Sequence, residues 1–151
     1  MQRSLTAAEI ADLPAGLVEA IHLTGVRLIG THHPVSIAAQ WVGRSALIVV
    51  RGDWIFWPDL PADMSGNARL MSLLAHELVH VWQYQSGMTL WSYLCRERGQ
   101  YYYELTDKPF THYGYEQQAA MVEDWMRLRK GLGARYAHGE TDKLAEIIPF
   151  V

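Results

Sequence analysis

One cysteine, Cys95, stands in a chain of 151 residues. That excludes an internal disulfide and any structural zinc site built on paired cysteines, and it fits a reducing compartment. Long apolar runs are also missing. The longest, Ala46 to Val50, falls far short of the roughly 20 residues that span a bilayer. No apolar signal core follows Met1-Gln2-Arg3-Ser4. Basic excess is absent as well: a formal net charge of −3 leaves no electrostatic footprint for nucleic acid and no polybasic membrane anchor. Repeats, low-complexity tracts and linkers are not seen. These absences predict one soluble domain over residues 1–151, cytoplasmic or exported without a classical signal peptide, with neither nucleic acid nor membrane as partner.

What is present suffices for a packed core. Half of the chain is hydrophobic and 19% is charged, which excludes disorder. Thr6 and Glu9 have the spacing of a capping box, so a helix is expected from Ala7, interrupted at Pro14, resuming to about Leu23 and stopped by Gly25. Val26 to Ile29, Ala46 to Val50 and Trp54 to Trp57 read as strands, with Arg51-Gly52-Asp53 as a hairpin turn. Pro58 and Pro61 end the sheet region. Four helical segments are expected after it. One is capped by Asp63 or Ser65 and runs to about Ser86, where Gly87 stops it. The others cover Thr89 to about Tyr103, Gly114 to about Lys130, and Thr141 to Ile148. Helix, small antiparallel or mixed sheet, then several helices is an α+β order.

The chemistry concentrates in His76-Glu77-Leu78-Val79-His80. Two histidines four apart on a helix lie one turn apart on one face, about 40° from eclipsed, so both imidazoles can reach one metal ion. Glu77, rotated by about 100° from His76, flanks such an ion without binding it and can hydrogen-bond its water. Chance produces the bare pattern in roughly one chain in a few hundred of this length. Here it sits in a long, capped helix that is apolar on its other side through Leu74, Leu78 and Val81, and that context favours zinc.

A catalytic zinc takes three protein ligands and one water. The third ligand is sought among Glu97, Glu104, His112, Glu116, Glu123 and Asp124. Glu116 is preferred, with His112 next: Glu116 opens a helix whose Ala119 and Ala120 allow close packing on the metal helix. Its bland alternative is a surface carboxylate favoured by the helix dipole. Glu123, seven residues on, can accept a proton from a ligand imidazole. Tyr113, His112, Tyr115 and Tyr103 are candidates to stabilise an oxyanion, Tyr113 and His112 first, although Tyr101-Tyr102-Tyr103 reads equally as helix packing. His22, His32, His33 and His138 lack metal spacing. Trp91 to Tyr103, with Arg96 and Arg98, reads as core plus a charged face or as a partner surface.

Leu74-Ala75-His76-Glu77-Leu78-Val79-His80-Val81-Trp82-Gln83 resembles the signature helix of small gluzincin-like (minigluzincin-like) metallopeptidase domains of bacterial toxin and contractile-injection-system proteins. Tyr113-Gly114-Tyr115-Glu116-Gln117-Gln118-Ala119-Ala120 is similar to the segment that brings their glutamate ligand. The likeness covers about residues 45–125 and departs from the large gluzincins in placing Ala120 where an Asp follows the glutamate. It implies a zincin-like fold with Zn2+ held by His76, His80 and Glu116. It also implies peptide-bond hydrolysis by a zinc-bound water with Glu77 as general base. It further implies a peptide or protein substrate laid along an edge strand, for which Trp54 to Trp57 is the candidate; a hairpin filling the core is as good a reading. A fusion or secretion-system partner is compatible. The competing expectations are a zinc-bound recognition or scaffold module of a secreted toxin assembly, and a zinc hydrolase acting on a non-peptide amide.

Overall fold

In the computed structural model, residues 1–35, 37, 47–95 and 100–151 are described. The architecture is α+β: β1 (Gln2–Arg3), α1 (Ala7–Asp12), α2 (Ala15–Ala20), β2 (Arg27–Ile29), β3 (Val49–Arg51), β4 (Trp54–Phe56), α3 (Ala68–Gln85), α4 (Leu90–Cys95), α5 (Tyr115–Arg129) and α6 (Leu144–Ile147), with short 3-10 turns at Leu23–Gly25 and Phe110–His112.

The sheet is mixed, in the order β1-β2-β4-β3. β1 runs antiparallel to β2, β2 parallel to β4, and β4 antiparallel to β3. The β3–β4 hairpin turns through Gly52, whose φ of +59° costs a residue without Cβ nothing. Alternation then sends Leu28, Val50 and Ile55, aligned across the three strands, into the core, where each is buried. β4 is bonded on both sides, so Trp54 to Trp57 is not an edge available to a substrate. Among the described residues, β3 is the edge on that side.

α3 is about 27 Å long by its 18 residues. Its cap is Asn67, not Asp63 or Ser65: the Asn67 Oδ1 accepts from the Arg69 and Leu70 amides at 3.0 and 3.1 Å. Asp63 is spent one turn earlier, accepting from the Ser65 amide at 2.8 Å and from the Thr6 hydroxyl. Gly87, at φ +99°, ends the helix as expected. Met71, Leu74, Ala75, Leu78, Val79 and Val81 bury one side of α3. Its most extensive helix partner is α5, whose Ala119 and Ala120 are fully buried, so small side chains bring the two backbones together. No helix among the described residues is long and apolar enough to cross a membrane.

One further expectation differs. The helix from Thr89 ends its described course at Cys95, and Tyr101 to Tyr103 is not helical: Tyr103 forms a parallel bridge with Ala137, donating to Tyr136 O at 3.2 Å and accepting from the His138 amide at 2.7 Å. A periodic aromatic run reads alike for helix and for an irregular segment pinned by distant backbone. Ala46, Arg96, Glu97 and Arg98 lie outside the described residues, and the expectations placed on them end there.

The capping box at α1 is present as expected, and Glu9 does more than cap. Its carboxylate takes a two-pronged contact from Arg3 at 2.7 Å each, the Thr6 amide at 2.8 Å and the Met64 amide at 3.0 Å. It thereby ties β1, α1 and the approach to α3 together while fully buried. Burial opposes the charge, but Arg3 and the two amides hold the carboxyl below its ordinary value of 4.5. A lowered folded pKa means the stabilisation is complete above that ordinary value and fades as pH falls through the folded one. We expect Glu9→Ala to cost about 3 kcal/mol at pH 7, the low end for a broken buried pair because Arg3 keeps some solvent contact. The difference from wild type should shrink in denaturant melts as pH falls below the ordinary value of 4.5 and through the lowered folded one; a difference independent of pH would show that Glu9 acts by packing alone.

Candidate metal centre

His76 and His80 project from the middle of α3, and Glu116 from the first turn of α5. All three are buried. One oxygen, Glu116 Oε2, stands 3.5 Å from His76 Nε2 and 3.3 Å from His80 Nε2. Two ligands of one tetrahedral ion at about 2.0–2.1 Å lie about 3.3–3.4 Å apart, so these separations suit a shared cation better than a hydrogen bond. The same oxygen is buried without a hydrogen-bond partner, a costly state for a carboxylate unless a cation meets it. The three side chains thus form a group that can hold a metal ion.

Each ligand is braced. His80 Nδ1 lies 2.9 Å from Gln83 Oε1. The Gln83 amide nitrogen donates to Tyr115 O at 2.9 Å and to Gln118 Oε1 at 3.0 Å, and Gln118 donates to Tyr113 O at 2.8 Å. Both Gln83 donors are used, so its oxygen must face the imidazole. Nδ1 therefore carries the proton, and Nε2 keeps its lone pair for a metal. Glu116 Oε1 accepts from the Tyr93 hydroxyl, which turns Oε2 toward the imidazoles. His76 Nδ1 approaches Glu123 Oε2 at 3.0 Å, although neither atom has a well-aligned hydrogen-bond partner.

The electrostatics follow from this crowding. Burial disfavours a charged imidazole, but Glu116 and Glu123 outweigh it and push His76 up to about 10. His80 is raised by Glu116 against the same burial. Although burial works against the charge, the two imidazoles hold Glu116 far below the carboxylate range. Without an ion the site retains protons that a metal must expel.

A cleft of about 370 Å³ opens onto the group. Its floor carries His76, Glu77, His80 and Glu116; β3, Tyr84, Tyr93 and Tyr101 contribute walls. Glu77 is 7% exposed, and burial raises its carboxyl above the usual value. It makes no hydrogen bond or ion pair among the described residues.

Tyr113 and His112 are not brought to this cleft. The Tyr113 hydroxyl is taken by Thr106, whose amide donates to it at 2.9 Å, and its ring carries the Lys108 ammonium. His112 is exposed in the 3-10 turn before α5 and faces a separate surface hollow with Trp82 and Tyr115. Although they precede Glu116 directly in the chain, residues 111–115 line that separate hollow and not the cleft. Tyr103 donates to Asp124 at 3.0 Å. Asp124 also accepts from the amides of Arg135, Tyr136 and Ala137, which leaves it no part in metal binding. Tyr93 and Tyr101 occupy the places sought for the other tyrosines, and no local spacing marks them. Gln83 was legible in principle, three residues after His80 on the same helix face.

No protein-family model matches the chain, and no curated protein matches it. The effector domain of Pseudomonas aeruginosa VgrG2b has a similar structure, with a TM-score of 0.67 and 23% sequence identity over 89% of this chain and 78% of that domain. At that identity the likeness extends to the fold.

Two outcomes are expected of the metal centre. Zinc added to metal-free protein at pH 7 should release protons, since a pKa of about 10 keeps His76 protonated there. Apparent affinity should therefore rise from pH 5 to 8. Calorimetry in two buffers of different ionisation enthalpy counts the protons. Gln83→Leu should weaken zinc binding by about 10- to 100-fold in chelator competition, by releasing His80 Nδ1.

Proposed function

We propose that this chain is a zinc-dependent metallopeptidase, with His76, His80 and Glu116 as ligands and Glu77 as general base. The observation that carries the reading is Glu77: a buried carboxylate beside the ligand group, facing the cleft, with no hydrogen-bond or ion-pair partner among the described residues. Evolution seldom leaves such a group unpaired except where it reacts. A purely structural zinc has no use for it and tends to fill all four positions with protein ligands.

The two-histidine, one-carboxylate donor set suits zinc. Bound there, zinc supplies Lewis acidity toward the scissile carbonyl and brings a water toward pKa ~7. Glu77 accepts the proton of the attacking water and returns it to the leaving amine; a carboxyl raised by burial is better matched to that exchange near neutral pH. Tyr101 lines the cleft beside His76, at 6.1 Å between ring centroids, and its hydroxyl has no hydrogen-bond partner among the described residues. Burial and nearby carboxylates raise its pKa, so it remains a donor that can stabilise the developing oxyanion. Tyr93 holds Glu116. β3, the edge strand among the described residues, offers main-chain groups to an extended peptide. The resemblance of the metal helix to toxin-associated peptidase domains, together with the fold of an effector domain, supports a role as the effector module of a toxin assembly, fused to or carried by a secretion partner.

Glu77→Gln tests the reading. The variant should keep stoichiometric zinc and lose about 10²- to 10⁴-fold of the cleavage rate on an unfolded protein substrate. Equal turnover by both proteins removes Glu77 as the general base; no turnover by either when zinc-loaded favours the non-catalytic recognition module.

A further inference from the structure

Arg51 closes β3 at the wall of the same cleft and is half-buried. A guanidinium has five N–H donors in a planar fork. Here one donor meets the neutral Tyr84 hydroxyl at a long 3.3 Å, and no carboxylate lies within ion-pair distance among the described residues. The other enclosed cations are matched. Arg3 pairs with Glu9 and Lys130 with Asp12, while Arg27 donates to the carbonyls of Thr24 and Val26. A half-buried, nearly unused fork is an open anion receptor, and planar carboxylates fit it with two parallel bonds.

Its position sets what it reads. Tyr84 follows His80 by four residues on α3, one turn or about 6 Å along the same face. Two residues of extended peptide cover nearly the same span, about 6.6 Å. The wall that joins the two points is apolar, with Ile48, Val49, Met88 and Leu90 among its residues. We infer that Arg51 is a specificity determinant that binds a substrate carboxylate about two residues from the scissile bond, past an intervening large apolar side chain. The carboxylate is either an acidic side chain or the free C-terminus of a short peptide; both present the same planar anion. The inference rests on the peptidase reading for the words "scissile bond", and its test separates the two.

Matched peptides carry Phe or Leu at the position next to the cleaved bond. At the second position they carry Glu or Gln, or end there as a free acid or an amide. Binding of fluorescent versions is read by anisotropy on zinc-loaded Glu77→Gln, with and without Arg51→Met; cleavage is read on wild type and Arg51→Met. Carboxylate peptides should bind about 10- to 100-fold tighter than their neutral partners. Arg51→Met should bring that ratio close to one, and Arg51→Lys should restore part of it. The preferred pair, Glu over Gln or acid over amide, names the source of the anion. Carboxylate-dependent binding without any cleavage by wild type would leave Arg51 as the receptor and remove the peptidase reading. Cleavage with no preference for the carboxylate, or a preference that survives Arg51→Met in a variant with wild-type melting behaviour, overturns the assignment.

Discussion

Everything in the site depends on one buried oxygen. Glu116 Oε2 faces two imidazole nitrogens at 3.5 and 3.3 Å and has no hydrogen-bond donor of its own. A carboxylate in that state is tolerated only if positive charge is delivered to it, by protons on His76 and His80 or by a cation. The same requirement explains the bracing around it. Tyr93 occupies the other oxygen, Gln83 orients His80, and Gln118 orients Gln83. Each partner removes a rotational freedom that would otherwise let the carboxylate turn away or the imidazole present the wrong nitrogen.

The fold supplies what these groups cannot. α3 and α5 come close because Ala119 and Ala120 put only methyl groups between them, and that approach carries Glu116 to the histidines. The sheet packs on α3 through β3, with Val50 and Ile55 in the core and β3 along the cleft. Glu9 fastens the β1–α1 corner to the segment that leads into α3. The positioning of the metal centre therefore draws on ordinary packing and on one buried ion pair far from it.

Local patterns in the chain were readable where the physics is local. The α1 capping box, the Gly52 turn, the Gly87 stop and the one-turn spacing of His76 and His80 involve residues within four positions of one another. The cap of α3 was missed because Asp63, Ser65 and Asn67 are all good caps; only the tertiary bond from Thr6 to Asp63 removes one from the choice. β1 was invisible for a similar reason: Gln2 and Arg3 carry no alternation and become a strand only by pairing with Leu28 and Ile29. Tyr113 stands beside Glu116 in the chain yet points its hydroxyl at Thr106 and away from the cleft, which Tyr93 and Tyr101 line.

Residue spacing alone placed two imidazoles and the carboxylate of Glu77 on one helix, since 3.6 residues per turn leaves no other arrangement for that spacing. It also determined the α+β order, through the change of hydrophobic period from two to three or four along the chain. Packing in three dimensions chose which carboxylate of several completes the group, which tyrosines enter the cleft and, among the described residues, that β3 rather than β4 forms the edge. Those choices join residues tens of positions apart, and they are made by packing and strand pairing, which no local spacing encodes.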